Sequence, residues 1–347
     1  MPNGGVVKPT RRVTIRDVAR QAGVSVQTVS RVLNDHPDVS DATRARVQRA
    51  IAELHYQPSA IARSLITRSS GVLGVVASGF QFFGPARLLA GIERQATELG
   101  WQLMLQVADP STPEEYDRIA AALIAQHVEG VIWAYPELSS ERERAFRAQV
   151  ETHAPIVFLS MEANPGDAVL SIENRLGARL AVEHLIERGR RHIGIITGPL
   201  NLWSAHQRKL GWQDALASAG LPCTELQVIE GDWSAESGCR GLRQLIEQYP
   251  RLDAVFASND QMALGVLHAA HQLGLTVPRD LSVVGFDNVP ESACFIPPLT
   301  TVHHDLFALG QLAVREMHRV IQARRAGKPA VVSPLMLRPH LIVRESS

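Results

Sequence analysis

Cysteine is scarce in this chain, and its positions form no recognisable site. The 347 residues include only three cysteines, Cys223, Cys239 and Cys294, which are widely separated. No CxxC pair exists, so the spacing excludes the usual cysteine-based zinc site and the redox motif. We interpret the three thiols as reduced and mostly structural, as expected for a protein of the cytoplasm.

Long apolar runs are also lacking. No run approaches the roughly 20 residues that a membrane span needs. The N-terminus is polar and basic with no apolar segment behind it, so we expect no secretion signal. With 45% hydrophobic and 20% charged residues, the composition is typical of a soluble globular protein. At 347 residues the chain is long enough for more than one domain.

Net charge is absent from the whole chain but not from its parts. The chain has 35 Lys and Arg against 35 Asp and Glu. Residues 1–69 have 11 basic against 5 acidic residues, which leaves 24 against 30 for residues 70–347. A basic N-terminal segment therefore precedes an acidic body. Such a segment favours contact with phosphates and an affinity that falls steeply with salt.

Sequence motifs of common enzymes are missing too. No G-x-G-x-x-G follows the first apolar strand, and no G-x-S-x-G or Walker loop occurs. No His/Cys spacing typical of a metal site is present. The one adjacent histidine pair, His303 and His304, is interpreted as a strand-end pair near a cleft rather than a metal site. We therefore expect no enzyme, no cofactor and no metal.

The basic segment instead predicts three short helices. Thr14 and Asp17 form a capping box for the first helix, which ends at Gly23. Ser25 caps a second helix after only a Gly-Val turn, which joins the two helices at a sharp angle. A third helix begins at Ser40 and is expected to bury Val47, Ile51 and Leu54 against the first two. This arrangement predicts a helix-turn-helix.

The second helix has two different faces. Val29, Val32 and Leu33 fall on one side. At about 100° per residue, the opposite side presents Gln27, Arg31 and Asn34. Glutamine suits the edge of adenine and arginine that of guanine, so this face is fit to contact bases in DNA. The alternative is an ordinary three-helix bundle with a polar face, and the basic charge of the segment favours DNA.

The same residues carry a family resemblance. Residues 13–19, 22–25 and 28–34, followed by matching positions up to Leu65, resemble the signature of the lactose-repressor (LacI/GalR) family of bacterial transcription regulators. The likeness extends to the C-terminus. It implies a cytoplasmic homodimer, nucleoid-associated when bound, whose partners are double-stranded operator DNA and a small-molecule effector. The DNA-binding positions that it implies are Thr14, Ser25, Val26, Gln27, Thr28, Ser30, Arg31, Asn34, Ser40, Thr43, Tyr56, Ser59, Ala62 and Leu65.

Residues 59–70 form the predicted linker. Ser59 to Ile66 could make about two helical turns, which are marginal alone in water. The resemblance implies that two such hinges pair over an operator and that Leu65 wedges into the minor groove, at an unstacking cost of a few kcal/mol. The alternative is a linker leucine that docks on the body. Our hypothesis is a hinge that is disordered alone and helical on DNA.

From Gly71 onward, apolar strands alternate with amphipathic helices, which predicts parallel sheets covered by helices. The predicted strands are 71–78, 101–108, 129–135, 155–160, 192–197, 226–229, 254–258 and 281–287. The predicted helices lie near 86–99, 113–127, 139–152, 174–188, 205–219, 235–248, 259–273 and 305–325. These eight strands and eight helices are too many for a single sheet with its covering helices. We therefore predict an α/β fold in which a helix-turn-helix head precedes two Rossmann-like subdomains of the periplasmic-binding-protein type.

This interpretation gives a domain plan. A DNA-binding domain covers 1–58, a hinge 59–70, and an effector-binding and dimerisation core 71–347. Within the core, the N-subdomain is expected at about 71–171 and 302–329, and the C-subdomain at about 172–300 and 330–347. The chain has no leucine heptad near its end, which favours a dimer over a tetramer.

Ligands of such folds bind at the carboxyl ends of the strands. Asp, Asn and Arg side chains suit the vicinal hydroxyls of a sugar, and a flat aromatic ring suits its apolar face. The resemblance implies these effector-binding positions: Ser78, Phe82, Gly84, Leu88, Ser160, Ser204, Arg208, Trp233, Asn259, Asp287 and His304. Structural alternatives remain: Asp287 as a loop cap, Asn259 as a helix cap, Trp233 as a contact between lobes and Arg208 in a surface ion pair.

Departures from the family pattern narrow the expectation. Ser160 stands where lactose repressor has an acid, His304 where a glutamine would sit, and Val26 where the recognition helix has a tyrosine. Purine-responsive relatives place Arg and Phe at Leu202 and Trp233, which argues against a nucleobase. We expect a repressor of sugar-utilisation genes that a galactoside-like sugar releases. A non-sugar effector, corepression, a transport-type solute-binding protein and a Rossmann-like enzyme are the alternatives.

Overall fold

The computed structural model describes residues 13–33, 36–56, 69–108, 115–134, 141–161, 167–329 and 334–347. The chain divides into two compact units, 1–70 and 71–347, which we call the head and the body. None of the helices in these described ranges is long and apolar enough to cross a membrane.

The head contains three helices, α1 (Ile15–Ala22), α2 (Val26–Leu33) and α3 (Asp41–Glu53). The carboxylate of Asp17 accepts hydrogen bonds from the backbone N–H and the hydroxyl of Thr14, at 2.9 and 2.7 Å. Gly23 ends α1 in the left-handed conformation, and the Thr28 N–H donates to the hydroxyl of Ser25 at 3.1 Å. Ser40 caps α3 rather than being its first residue. The predicted helix-turn-helix is confirmed.

The core of the head is small and apolar. Val18, Val29 and Val47, one from each helix, are fully buried in it. Half-buried Ile51 and Leu54 pack against this cluster. The apolar face of α2 is thus used inside the head, so the opposite face of α2 is the one left for a partner.

The first lobe of the body has a six-stranded parallel sheet in the order β11-β5-β4-β3-β1-β2. Its strands are β1 (Val72–Ala77), β2 (Gln102–Val107), β3 (Gly130–Ala134), β4 (Ile156–Leu159), β5 (Val169–Ile172) and β11 (Leu335–Leu337). Its helices are α4 (Phe83–Glu98), α5 (Glu115–Ala125), α6 (Glu141–Glu151) and α11 (Leu306–Arg325). The central strands are buried on both faces, as a parallel sheet between helices requires.

The second lobe has the sheet order β12-β10-β9-β8-β6-β7. Its strands are β6 (Ile193–Thr197), β7 (Val228–Glu230), β8 (Ala254–Ala257), β9 (Ser282–Asp287), β10 (Thr300–His303) and β12 (His340–Ile342). Its helices are α7 (Asn174–Glu187), α8 (Trp203–Ser218), α9 (Ala235–Gln248) and α10 (Asp260–Gln272). The strand β12 runs antiparallel to β10, and the other pairings are parallel.

Two parts of the subdomain plan need correction. The strand β10 belongs to the second sheet although the plan began the returning N-subdomain at 302, and β11 joins the first sheet although the plan gave all of 330–347 to the C-subdomain. Both strands have only three or four residues. The residues of β11 are exposed or half-buried at a sheet edge, so they show no buried-strand pattern.

The chain therefore passes between the two lobes three times. It leaves the first sheet after β5, returns to the first lobe between β10 and α11, and crosses again between β11 and β12. These crossings lie beside one another because β5 and β11 are neighbours in one sheet, and β10 and β12 in the other. Residues at the strand ends of both lobes are consequently brought to a common cleft.

Candidate functional site

The face of α2 opposite the head core carries the predicted base-contacting residues that the structure describes. Gln27 and Arg31 are exposed, and so is Val26, with 42% of its surface accessible. Thr28 and Ser30 are half-buried beside them. An exposed arginine and glutamine on one short helix match the chemistry of base edges in the major groove.

The other predicted DNA-binding residues are less uniform. Thr14, Ser25 and Ser40 each serve the N-terminus of a helix, and the half-buried Thr43 is hydrogen-bonded to Ser40. Tyr56 packs half-buried against the apolar core of the head. The remaining four predicted positions lie outside the described residues: Asn34, Ser59, Ala62 and Leu65.

The body has a cavity of about 640 Å³ that is lined from both lobes. All eleven residues predicted for effector binding lie on its wall: Ser78, Phe82, Gly84, Leu88, Ser160, Ser204, Arg208, Trp233, Asn259, Asp287 and His304. They come from strand ends and from the helices that follow them. The fold thus brings together residues that are up to 226 positions apart in the chain.

Backbone geometry presents several of these side chains. Ser160 directly follows β4 with φ of 56°, and Asp287 ends β9 with φ of 117°. Trp233 also has a positive φ, 71°. Such conformations are uncommon for residues other than glycine and are kept only where surrounding contacts hold them. All three residues line the cavity, so the surrounding contacts hold these side chains toward it in fixed positions.

Arg208 is the buried cation of the site, with only 6% of its surface exposed. Its Nε donates to the side-chain oxygen of Asn174 at 2.9 Å, and its Nη1 donates to the backbone oxygen of Ser258. The same Nη1 lies 3.8 Å from Asp287 Oδ1. Burial lowers the pKa of Arg208 to about 10, against the opposing effect of Asp287 and Asp260. The arginine stays charged at neutral pH, and its burial rules out the structural alternative of a surface ion pair.

Asp287 holds a second partner, the imidazole of His304. The Nε2 of His304 lies 2.9 Å from Asp287 Oδ1, and the imidazole ring packs on Phe286 with a centroid distance of 5.1 Å. Burial lowers the pKa of His304, although the carboxylate works in the other direction. The imidazole is therefore neutral near pH 7, and its Nε2–H donates to Asp287 because an ionised carboxylate only accepts.

An aromatic wall stands beside this polar cluster. The guanidinium carbon of Arg208 lies 3.7 Å from the ring centroid of Phe286 and 5.6 Å from that of Trp233. Gly198 makes room for the indole, since a Cβ there would come within 2.1 Å of the ring of Trp233. Asn259 caps α10 by accepting from the Met262 N–H at 2.8 Å, as its structural alternative predicted. Its amide also donates to the Trp233 backbone oxygen at 3.0 Å.

The first lobe contributes a mainly apolar surface, with Phe82, Leu88, Leu159, Ile172 and Leu306 among the lining residues. Sequence reasoning missed Asn174 as a site residue. It is the first residue of α7, two positions after the end of β5, but β5 is not among the predicted strands, so no strand-end signal points to Asn174. No group of three or more His, Cys, Asp or Glu residues that could hold a metal ion occurs in the described ranges.

A helix-turn-helix head joined to a two-lobed α/β body with a cavity defines the class of ligand-responsive transcription regulators. Residues 14–59 match the family model for bacterial regulatory proteins of the lacI family, and residues 182–347 match the model for a periplasmic binding protein-like domain. The chain is 37% identical over 315 residues to the lactose operon repressor of Escherichia coli strain K12, covering 90% of this chain and 86% of that protein. The chain belongs to the lacI family and is a DNA-binding transcription regulator.

Solved structures agree with this assignment. The lac repressor dimer bound to operator and the anti-inducer ONPF matches with a TM-score of 0.89 at 36% identity, covering 97% of this chain and 99% of that one. A complex of the transcriptional regulator CelR with cellobiose matches with a TM-score of 0.72 at 31% identity, covering 97% and 100%. Both identities exceed 30% over nearly the whole chain, so the likeness includes the body as well as the head.

Proposed function

We propose that this protein is a homodimeric repressor of sugar-utilisation genes that leaves its operator when a small neutral sugar occupies the cavity. The observation that carries the proposal is the buried pair Arg208 and Asp287. Within the described part of the chain, Arg208 Nη2 and Asp287 Oδ2 have no hydrogen-bond partner. A donor beside an acceptor is the complement of two vicinal hydroxyls.

Charge favours a neutral ligand. The positive charge of Arg208 is opposed by Asp287 at 3.8 Å, and burial keeps His304 uncharged. Asp232 at the rim is 58% exposed and lies 3.5 Å from Arg240. A phosphate or carboxylate in this cavity would meet no surplus positive charge, and burying it unpaired would be costly. The half-buried indole of Trp233 offers the flat apolar surface that a pyranose ring requires.

The same proposal covers the domain plan and the partners. The head, 1–58, would bind double-stranded operator DNA through Gln27 and Arg31, and 59–70 would act as the hinge. Support comes from the exposure of both side chains and from the excess of 11 basic over 5 acidic residues in 1–69. Dimerisation is supported by the similarity of this chain to the lac repressor, whose structure on its operator is that of a dimer.

Two single substitutions test the division of labour. Arg31→Ala should remove most of the preference for DNA taken from upstream of the gene over unrelated DNA in a gel shift, and leave sugar binding unchanged. Asp287→Ala should keep the shift and make it insensitive to a panel of D-galactose, D-ribose, lactose, cellobiose and adenine. Loss of a guanine contact costs about 1–3 kcal/mol, or roughly 5- to 150-fold in specificity.

Asp214→Ala is the matched control for the body, since Asp214 lies in a surface ion pair with Arg175 and such pairs contribute little. It should behave as the wild type in both assays. Release by adenine and by none of the sugars would contradict the sugar assignment. Loss of both activities in both variants would contradict the separation of roles.

A further inference from the structure

The turn that carries the pocket acid has an unusual backbone. Asp287 and Asn288 have φ values of 117° and 54°, so two successive residues other than glycine lie in the left-handed half of the map. Such residues persist only where neighbouring groups fix them. The position of the Asp287 carboxylate therefore depends on whatever holds residues 287–289.

Asp260 holds this turn from behind. It is fully buried, and it is not among the residues that line the cavity. Its Oδ2 accepts the backbone N–H of Val289 at 2.9 Å, and its Oδ1 shares a hydrogen bond of 2.5 Å with the hydroxyl of Thr301. That hydroxyl in turn accepts the N–H of Asn288 at 3.3 Å. One side chain thus fixes two consecutive amides of the turn, one directly and one through Thr301.

A glycine in β9 allows Asp260 to lie close to that strand. A Cβ on Gly285 would lie 2.3 Å from Asp260 Oδ1, so only glycine leaves room for the carboxyl at this point of β9. Asp260 is the first residue of α10, directly after Asn259, which fixes the backbone of Trp233. The start of one helix therefore organises both the aromatic wall and the acidic turn.

We propose that Asp260 is the positioning residue of the ligand site: it locks the turn 287–289 and so fixes the carboxylate of Asp287 relative to Arg208 and His304. The expected effect of Asp260 on ligand affinity depends on the proposed function. Its expected effect on the turn depends only on the contacts described above.

The surroundings of Asp260 shift the pKa of its carboxyl, so its effect on the turn should depend on pH. An uncharged structural contact would show no such pH dependence. Burial, with the nearby charge of Asp287, raises the pKa of Asp260 to about 8, whereas its hydrogen bonds and Arg344 act in the opposite direction. The charged groups that face it are Asp287, Arg208 and Arg344. A neutral acid at this position donates to Thr301 and still accepts from Val289.

The expected pH dependence follows by linkage. The closed turn binds the proton of Asp260 more tightly than an open turn, in which water reaches the carboxyl and its pKa returns toward about 4. Protection of the Asn288 and Val289 amides should therefore fall as pH rises from 6 to 8 and level off above that. An asparagine keeps the same donor and acceptor without a proton to lose.

Hydrogen exchange of the ligand-free full-length protein tests the proposal, with rates in residues 286–292 corrected for intrinsic exchange. Asp260→Ala should speed exchange at Asn288 and Val289 at least tenfold. Asp260→Asn should restore protection at pH 6 to 7 and remove the pH dependence. Thr301→Val keeps the shape of the side chain and removes the hydroxyl, so it should speed exchange at Asn288. This variant replaces Asp260→Ala as the test if Asp260→Ala does not fold.

Asp253→Ala is the matched control, because Asp253 accepts two backbone N–H groups, of Arg191 and His192, elsewhere in the same lobe. It should leave residues 286–292 unchanged. The proposal is overturned if Asp260→Ala leaves exchange in the turn unchanged, or if the pH dependence survives in Asp260→Asn.

A binding arm uses lactose and cellobiose as probes, with binding to the full-length protein measured by isothermal titration calorimetry. If the wild type binds either sugar, Asp260→Ala should weaken its affinity at least tenfold and Asp260→Asn should recover most of it. Unchanged affinity in Asp260→Ala would overturn the effect on the ligand. If the wild type binds neither sugar, the sugar assignment loses support while the exchange result still decides the role of Asp260.

Discussion

At the scale of single residues, His304 shows how burial sets chemistry in this site. The side chain is 3% exposed, its Nε2 donates to Asp287, and its Nδ1 is buried with no hydrogen-bond partner among the described residues. Protonating it would place a charge in the interior next to Arg208, which also acts to lower its pKa. The neutral imidazole is therefore part of the folded state.

His304→Gln should reduce the acid sensitivity of folding. The folded-state pKa of His304 is lowered below the ordinary value of 6.5, so the unfolded chain binds the proton more readily. Its contribution to stability is complete above about pH 6.5 and is lost as pH falls, by at most about 1.4 kcal/mol per pH unit. Melting temperatures measured from pH 7.5 to 5.5 should fall less steeply in the variant. Parallel curves would show that His304 binds its proton equally well in the folded and unfolded states, which would contradict the lowered pKa.

The cavity residues could be named from the sequence because of where they stand. Asp287 ends an apolar strand, Ser160 follows one, and Asn259 caps the helix after another, so the carboxyl ends of the parallel sheets place them near the cleft, and the family resemblance implies that they contact the effector. The pattern did not reveal that Asn259 holds the backbone of Trp233 or that Asp260 supports the acidic turn, because both contacts join segments that are separate in sequence.

At the scale of elements, strands that alternate regularly with helices are easier to predict than the strands that flank the crossings between the lobes, β5, β10, β11 and β12. The strand β3 is buried along its whole length and stands out as an apolar run, whereas β11 is short and partly exposed. The side chains of β11 do not determine which lobe this three-residue strand joins or in which register it pairs. Its partner strand β5, Val169–Ile172, determines both. Hence the crossings between the lobes were misplaced while the central sheet strands were correct.

The packing of α4 against α11 depends on glycine. A Cβ on Gly91 would lie 2.1 Å from the backbone oxygen of Phe307, and one on Gly310 would lie 2.3 Å from that of Leu88. The two helix backbones therefore touch at this crossing. This contact holds α11, the helix that follows the return of the chain from the second lobe, against α4 in the first lobe.

Gly91→Ala should destabilise the body by about 1–3 kcal/mol, because the backbone of α11 must move to admit the methyl group. Gly84→Ala in the same helix is the matched control, since its Cβ would meet only a leucine methyl at 3.4 Å. Alanine is the better helix former by roughly 0.5–1 kcal/mol, so the control should be as stable as the wild type or more so. Equal unfolding midpoints in urea for the two variants would contradict the close helix contact.

At the scale of the whole molecule, charge separates the two tasks. The excess of basic residues lies in 1–69 and the excess of acidic residues in 70–347, so electrostatic attraction to DNA is confined to the head. The body carries the cavity, whose polar groups balance in charge. An effector can then act on DNA affinity only by favouring one arrangement of the molecule over another.

Reciprocal measurements should reveal this coupling. If lactose or cellobiose weakens DNA binding of the dimer tenfold, the same DNA must weaken binding of the two sugar molecules tenfold in product, about threefold at each site, because both effects report one coupling free energy of about 1.4 kcal/mol. DNA affinity would be measured by fluorescence anisotropy with and without saturating sugar, and sugar affinity by calorimetry with and without DNA. Both must share one salt concentration, since DNA affinity falls steeply with salt. Asp287→Ala should bring both ratios to one, whereas a coupling that persists in this variant would show that the sugar acts outside the cavity of the body.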